Sequence, residues 1–231
     1  MKFVIEHLSK HFEAKRVLQD IDFTFESGKI YGLLGRNGAG KTTLFNCLNR
    51  DIRTDGGQFY LETEEGRREV RPEDIGYVLS TPTVPEFLTG REFLKFFLEI
   101  NEKYIEDLQP IDTYFDYVSI APEDRDKLMK DYSHGMKNKM QMLCLLISKP
   151  PVILLDEPLT SLDVVAAHEM KELLLAMKKD HIIILSTHIL QLAQDLCDEI
   201  VLLHQGKLSG VDDLDCHDQG FEEHVMELLS R

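Results

Sequence analysis

The segment GRNGAGKTT, Gly35–Thr43, constrains this chain more than any other stretch. It follows Lys29-Ile-Tyr-Gly-Leu-Leu, which is apolar without alternation, as expected of a strand buried on both faces. It leads into a stretch that reads as helix through about Arg50. Glycines at 35, 38 and 40 remove side chains where main chain must approach an anion, and they permit unusual φ angles. Successive N–H groups and the helix N-terminus then offer donors and a partial positive charge. Lys41 is placed to span β- and γ-phosphates, and the Thr42 hydroxyl to ligate Mg²⁺. Asn37, Ala39 and Thr43 complete the nucleotide-binding set. The whole is a P-loop pattern in its proper strand–helix setting.

A second run supplies carboxylates. Val152-Ile-Leu-Leu-Asp156-Glu157 reads as a buried strand ending in two acids. Asp156 is expected beside the loop, where it can orient the Mg²⁺ shell. Glu157 follows at the strand's C-terminal end, where open α/β sheets bind ligands, and can take the proton of an attacking water.

Around these motifs the chain alternates. Phe3 and Ile5, then Ile21, Phe23 and Phe25, alternate with polar neighbours, and strand candidates follow at Gln58–Glu62 and Ile75–Leu79. From Glu86 to about Ser148 the period becomes helical. Phe93, Phe96, Phe97, Ile100 and Tyr104 form an amphipathic stripe that Leu94 and Leu98 widen, expected to pack among neighbouring helices or, in part, to dock a partner. After Pro150-Pro151 come a strand at Val152–Glu157, a helix at Ala166–Lys179, a strand at Ile182–Ser186, a helix at Ile189–Leu196 and a strand at Glu199–Leu203. Such alternation implies a doubly wound, mainly parallel sheet with the helical middle inserted. The expected class is α/β, a P-loop NTPase core over residues 1–82 and 150–231 with an N-terminal antiparallel β part, and a helical subdomain over 83–149. The acid-rich stretch Asp212–Glu223 is expected to be solvated.

Composition excludes several alternatives. The 231 residues carry 26 Lys+Arg against 41 Asp+Glu, a net charge of −15, which argues against neutralising a nucleic-acid backbone. It leaves room for a small basic nucleotide pocket. Cys47, Cys144, Cys197 and Cys216 form no C-x-x-C pair, so neither a zinc site nor a disulfide framework is expected. Glu6, His7 and Lys10 interrupt the apolar stretch a signal peptide would need, and no apolar run approaches the roughly 18–20 residues of a spanning helix. The expectation is a cytoplasmic protein without direct membrane insertion.

Together these residues resemble an ATP-binding cassette (ABC) protein, the ATPase subunit of ABC transporters, over almost the whole chain. Beyond the P-loop and Asp156-Glu157, Tyr132-Ser-His-Gly-Met136 resembles the signature usually read LSGGQ. Ser161-Leu162-Asp163 resembles the D-loop, Ser186-Thr187-His188 the switch histidine, and Phe12 stands where an aromatic stacks on adenine. The resemblance implies two cassettes joined head to tail around ATP and Mg²⁺, each signature capping the other's nucleotide. Ser133 and the backbone at Gly135 would then donate to the γ-phosphate, His188 would hold that phosphate and the attacking water in line, and Asp163 would couple the two sites. Lys41, Glu157 and His188 would carry the chemistry.

The chain departs from that pattern at Ser80, where the Q-loop glutamine is expected; serine would reach Mg²⁺ only through a water. His134 and Met136 also replace signature residues. The resemblance to a single cassette without sustained heptads favours transport over family members that act on DNA or in translation. The Gly-Met-Lys and Ser-Thr-His-Ile-Leu phrases resemble bacterial exporters. The implied protein is therefore the motor of an exporter, a homo- or heterodimer held on the inner face of the membrane by separate transmembrane permease subunits. The alternative is a nucleotide-dependent regulatory or binding subunit with weak turnover.

Overall fold

The computed structural model describes residues 1–105, 107–159 and 162–211, together with Phe221, Glu223 and Val225. Ser161 and, apart from Phe221 and Glu223, the acid-rich stretch Asp212–Glu223 lie outside the described residues, as does the Tyr104 side chain. Two compact units are present. One comprises Met1–Tyr77, Pro151–Glu157 and Lys178–Arg231, the other Val78–Pro150 and Pro158–Met177.

The first unit is built on sheets. Strands β1 (Lys2–Phe12), β2 (Lys15–Glu26), β4 (Gly56–Thr63) and β5 (Gly66–Glu69) form an antiparallel sheet in the order β2-β1-β4-β5. Phe3, Ile5, Ile21 and Phe25 turn inward, as their alternation requires. A second sheet runs β10-β9-β3-β8-β7-β6, from β3 (Lys29–Leu34), β6 (Ile75–Val78), β7 (Val152–Asp156), β8 (Ile182–Thr187), β9 (Glu199–His204) and β10 (Lys207–Gly210). β3 pairs in parallel with β8 and β9, and β7 with β8, while β10 closes an antiparallel edge on β9. The expected α/β class with a largely parallel sheet and an antiparallel N-terminal sheet therefore holds. Helices α1 (Lys41–Leu48) and α6 (Leu190–Leu196) belong to this unit.

Short antiparallel strands β5 and β10 were not expected. Gly66-Arg-Arg-Glu lacks apolar residues and Lys207-Leu-Ser-Gly has one in four positions, too little for a strand signal, so their pairing with β4 and β9 makes them strands. The parallel strands β7 and β8 are buried at every position, which explains their unbroken apolar runs.

The second unit is helical, with α2 (Gly90–Asn101), α3 (Ile111–Tyr117), α4 (His134–Ser148) and α5 (Val164–Met177). Thr89 starts α2 through a capping box: its Oγ accepts from Glu92 N, and the Glu92 carboxylate accepts from Thr89 N. The apolar stripe of α2 is only partly packed. Leu94 and Leu98 form the buried edge, Phe93 and Phe97 pack partly against the core beside them, and Phe96 and Ile100 are exposed. Leu94 and Leu98 are one turn apart and meet Phe115 and Leu143 in one core cluster, which rotates the apolar face away from Phe96. No helix among the described residues is long and apolar enough to cross a membrane.

Candidate functional site

Parallel register assembles the site. Leu34 pairs with Thr187 across β3 and β8, and Asp156 pairs with Ser186 across β7 and β8. The residues just beyond these pairs, Gly35, Glu157 and His188, therefore leave the sheet on one edge, its C-terminal edge. In β7 and β8 an apolar run that turns polar at its C-terminal end delivers those polar groups to this edge.

The P-loop is shaped by its glycines. Gly40 caps α1 at φ 111°, and Gly38 sits at φ 78°, both in the region that favours glycine. A Cβ on Gly35 would come within 2.7 Å of the Leu203 carbonyl oxygen, and one on Gly40 within 2.9 Å of Val17 Cγ1. The loop thus lies tightly against β9 and β2. Arg36, Asn37 and Gly38 are exposed, and Ala39 N donates to Arg36 O at 3.0 Å. At Lys41, Thr42 and Thr43 the first turn of α1 presents N–H groups that lack a partner within the helix.

Lys41 is buried, 7% exposed, and its Nζ donates to Gly35 O at 2.8 Å. Burial pushes its ammonium below the ordinary lysine value, opposed by the charges of Glu157 and Asp156. An ammonium has three donors, so a buried one held by a single carbonyl is suited to an arriving anion. Thr42 Oγ1 donates to Asp156 Oδ2 at 2.8 Å.

One residue passed over as a functional group in its own right joins the two acids. Ser186, fully buried, donates from Oγ to Asp156 Oδ1 at 2.5 Å, while Glu157 N donates to Ser186 Oγ at 3.1 Å. Its only trace in the chain is its place two residues before His188. Glu157 adopts φ 51°, a left-handed conformation that costs a non-glycine residue on the order of 1 kcal/mol. His188 Nδ1 lies 2.8 Å from Glu157 Oε2. A carboxylate accepts, so Nδ1 carries the hydrogen in this pair. Gly35, Arg36, Asn37 and His188 line one cleft of about 440 Å³.

Phe12 ends β1 at the tip of the β1–β2 hairpin, 44% exposed, with Lys10 Nζ 5.2 Å from its ring centroid. The same hairpin supplies the Val17 that touches Gly40. An exposed ring so placed is free to stack on a planar ligand.

The remaining expected residues belong to the second unit. Ser80 is exposed just past β6. Ser133 is the N-cap of α4, its Oγ accepting from Met136 N at 3.1 Å, and Gly135 lies in the first turn, where its N–H needs an outside partner. Asp163 caps α5, its Oδ1 accepting from Val165 N and Ala166 N at 3.0 and 2.9 Å. Capping explains why a polar residue precedes each helix and leaves the Ser133 hydroxyl hydrogen available.

Residues 18–160 match the family model described as ABC transporter. The uncharacterized ABC transporter ATP-binding protein MJ1023 of Methanocaldococcus jannaschii is 35% identical over 208 residues, 89% of this chain and 75% of that protein. The bacitracin transport ATP-binding protein BcrA of Bacillus licheniformis is 33% identical over 208 residues, 87% of this chain and 66% of that one. Among solved structures, one described as the ATP binding subunit of an ABC transporter superposes with a TM-score of 0.81 at 25% identity, all of each chain being covered. The dimeric post-hydrolysis state of the ATP-binding cassette MJ0796, bound to ADP and Pi, has a TM-score of 0.74 over 92% of this chain and 100% of that one. At 17% identity the second likeness bears on the fold alone.

Proposed function

The chain belongs to the ABC transporter family, as an ATP-binding, ATP-hydrolysing cassette, and from that premise we propose that it is the motor of an exporter. The observation that carries the reading is the pair formed by Glu157 and His188 on the edge of the P-loop cleft. Glu157 takes a proton from water as the water oxygen bonds to the γ-phosphorus. The bond from that phosphorus to the β,γ-bridging oxygen breaks, and ADP and phosphate result. His188, with Nδ1–H given to Glu157, keeps the base oriented and the attacking water in line with the γ-phosphate. Lys41 and the N–H groups of Gly38–Thr43 bind the phosphates, and Phe12 stacks on the adenine.

Thr42 and Asp156 would hold Mg²⁺. A hydroxyl and a carboxylate already in contact are a hard oxygen donor set suited to that ion, and Ser80 would act through a water. The ion, when bound, neutralises charge on the phosphates. Ser133 and Gly135 at the start of α4 act on the nucleotide of a second cassette, with Asp163 coupling the two. Separate permease subunits carry the substrate and hold the cassette at the membrane; the likeness to a bacitracin transport ATP-binding protein supports a role in transport, and the Gly-Met-Lys and Ser-Thr-His-Ile-Leu phrases are the ground for export.

Steady-state ATP turnover measured over a range of protein concentrations tests this. Turnover that rises more steeply than protein concentration and disappears in Glu157→Gln is expected. Full turnover in Glu157→Gln would overturn the assignment of the base.

A further inference from the structure

A second cavity, larger than the P-loop cleft at about 730 Å³, lies in the first unit between the C-terminal end of α1, the following loop and the β4–β5 hairpin. Its lining holds four arginines, Arg50, Arg53, Arg67 and Arg68, against one carboxylate, Glu69, in a chain of net charge −15. A local reversal of sign on this scale focuses positive potential into a concave space.

The four arginines are not equivalent. Arg68 is committed to the buried Asp74 through two hydrogen bonds of 2.6 and 2.7 Å, and this pair anchors the end of the hairpin. Arg50 gives one N–H to Glu69 at 2.9 Å, and Arg67 reaches Glu6 at 3.4 Å with one N–H. Arg53 meets no carboxylate among the described residues. A guanidinium has five N–H donors, so these three keep most of theirs available. Two are also held in place by aromatic faces: the Arg67 guanidinium lies 3.5 Å from the Tyr60 ring centroid, and that of Arg50 lies 5.7 Å from Phe59. The ring contacts restrain the two guanidinium groups while leaving N–H donors beyond those given to Glu69 and Glu6, a fork able to receive an oxyanion in bidentate fashion.

We propose that this cavity binds a phosphate-bearing anion through Arg50, Arg53 and Arg67. The space exceeds what inorganic phosphate fills, so the ligand is a phosphate ester or diphosphate, free in solution or carried as a lipid headgroup. Bound there, the anion relieves the mutual repulsion of three guanidinium groups, and its affinity falls as salt screens them.

The test uses the full chain with Lys41→Ala, which removes the P-loop lysine as a competitor for the probe. Pyrophosphate is titrated calorimetrically, and in a second arm the protein is floated with phosphatidylcholine vesicles with and without phosphatidic acid. Saturable binding in one arm is expected, weakened at least about tenfold by adding Arg53→Ala or Arg50→Ala, the size of one lost charge-assisted hydrogen bond. Pyrophosphate binding identifies a soluble ligand; binding to phosphatidic acid vesicles alone identifies a headgroup. Arg53→Gln keeps bulk and polarity at an exposed position, and unchanged melting and ATP turnover of the single Arg53→Gln variant separate loss of this site from loss of the cassette. Binding in neither arm, or binding indifferent to both Arg50 and Arg53, would overturn the proposal.

Discussion

His188 Nδ1 lies 2.8 Å from Glu157 Oε2, joining the residues that follow two adjacent parallel strands. The contact orients the carboxylate from outside its own strand, and Glu157 N, held by Ser186 from the neighbouring strand, orients it from behind. Glu157→Gln keeps the shape but cannot accept a proton. Its turnover should fall by at least about a hundredfold, the low end for loss of a general base, with ATP binding retained in a filter or fluorescence assay. His188→Ala should also lower turnover while leaving ATP affinity within a few-fold, because it removes orientation rather than the phosphate cradle.

Ser186 tests whether the buried link between the two acids matters. Ser186→Ala deletes a hydrogen bond to a carboxylate with little change in volume, at a cost of about 1.5–3 kcal/mol. Asp156 then loses one of the two hydroxyls that aim it. A lower melting temperature and a higher Mg²⁺ concentration for half-maximal turnover are expected; a change in melting temperature alone would confine Ser186 to stability.

On α2, the choice of phenylalanine decides what a substitution reports. Phe96 is 54% exposed, whereas Phe97 packs against the core of the helical unit. Phe96→Glu should weaken co-purification with the proposed permease subunits and leave melting unchanged. Phe97→Glu should lower the melting temperature by several degrees through burial of a charge, so it cannot separate docking from folding.

Gly57 faces the irregular stretch of β1 at His7, whose own φ is 54°. At Gly57 φ is +78°, and a Cβ would stand 2.3 Å from the His7 carbonyl carbon. Gly57→Ala forces that backbone apart and should lower the melting temperature by at least about 5 °C, at roughly 2–4 °C per kcal/mol for a chain of this size. The ATP-binding residues are untouched, so nucleotide affinity of the folded protein should be unchanged.

Much of the candidate phosphate site was legible in the chain, because its signals are local. Glycine spacing, the lysine and hydroxyl that follow, and an apolar run ending in two acids all act within a few residues and one strand or helix. The α/β class was legible for the same reason: hydrophobic period reports burial on one face or two.

The order of strands in the sheet, the pairing that makes β5 and β10 strands, and the face α2 presents were decided only by tertiary structure. So were the Ser186 bridge, the His188–Glu157 contact and the gathering of Arg50, Arg53 and Arg67 around one cavity. Each depends on groups far apart in the chain brought within a hydrogen bond or a ring's width, and hydrophobic period carries no information about which distant partner a residue meets. The amino-acid sequence by itself determined which residue types could bind phosphate and move a proton; close packing and parallel register decided which of them meet.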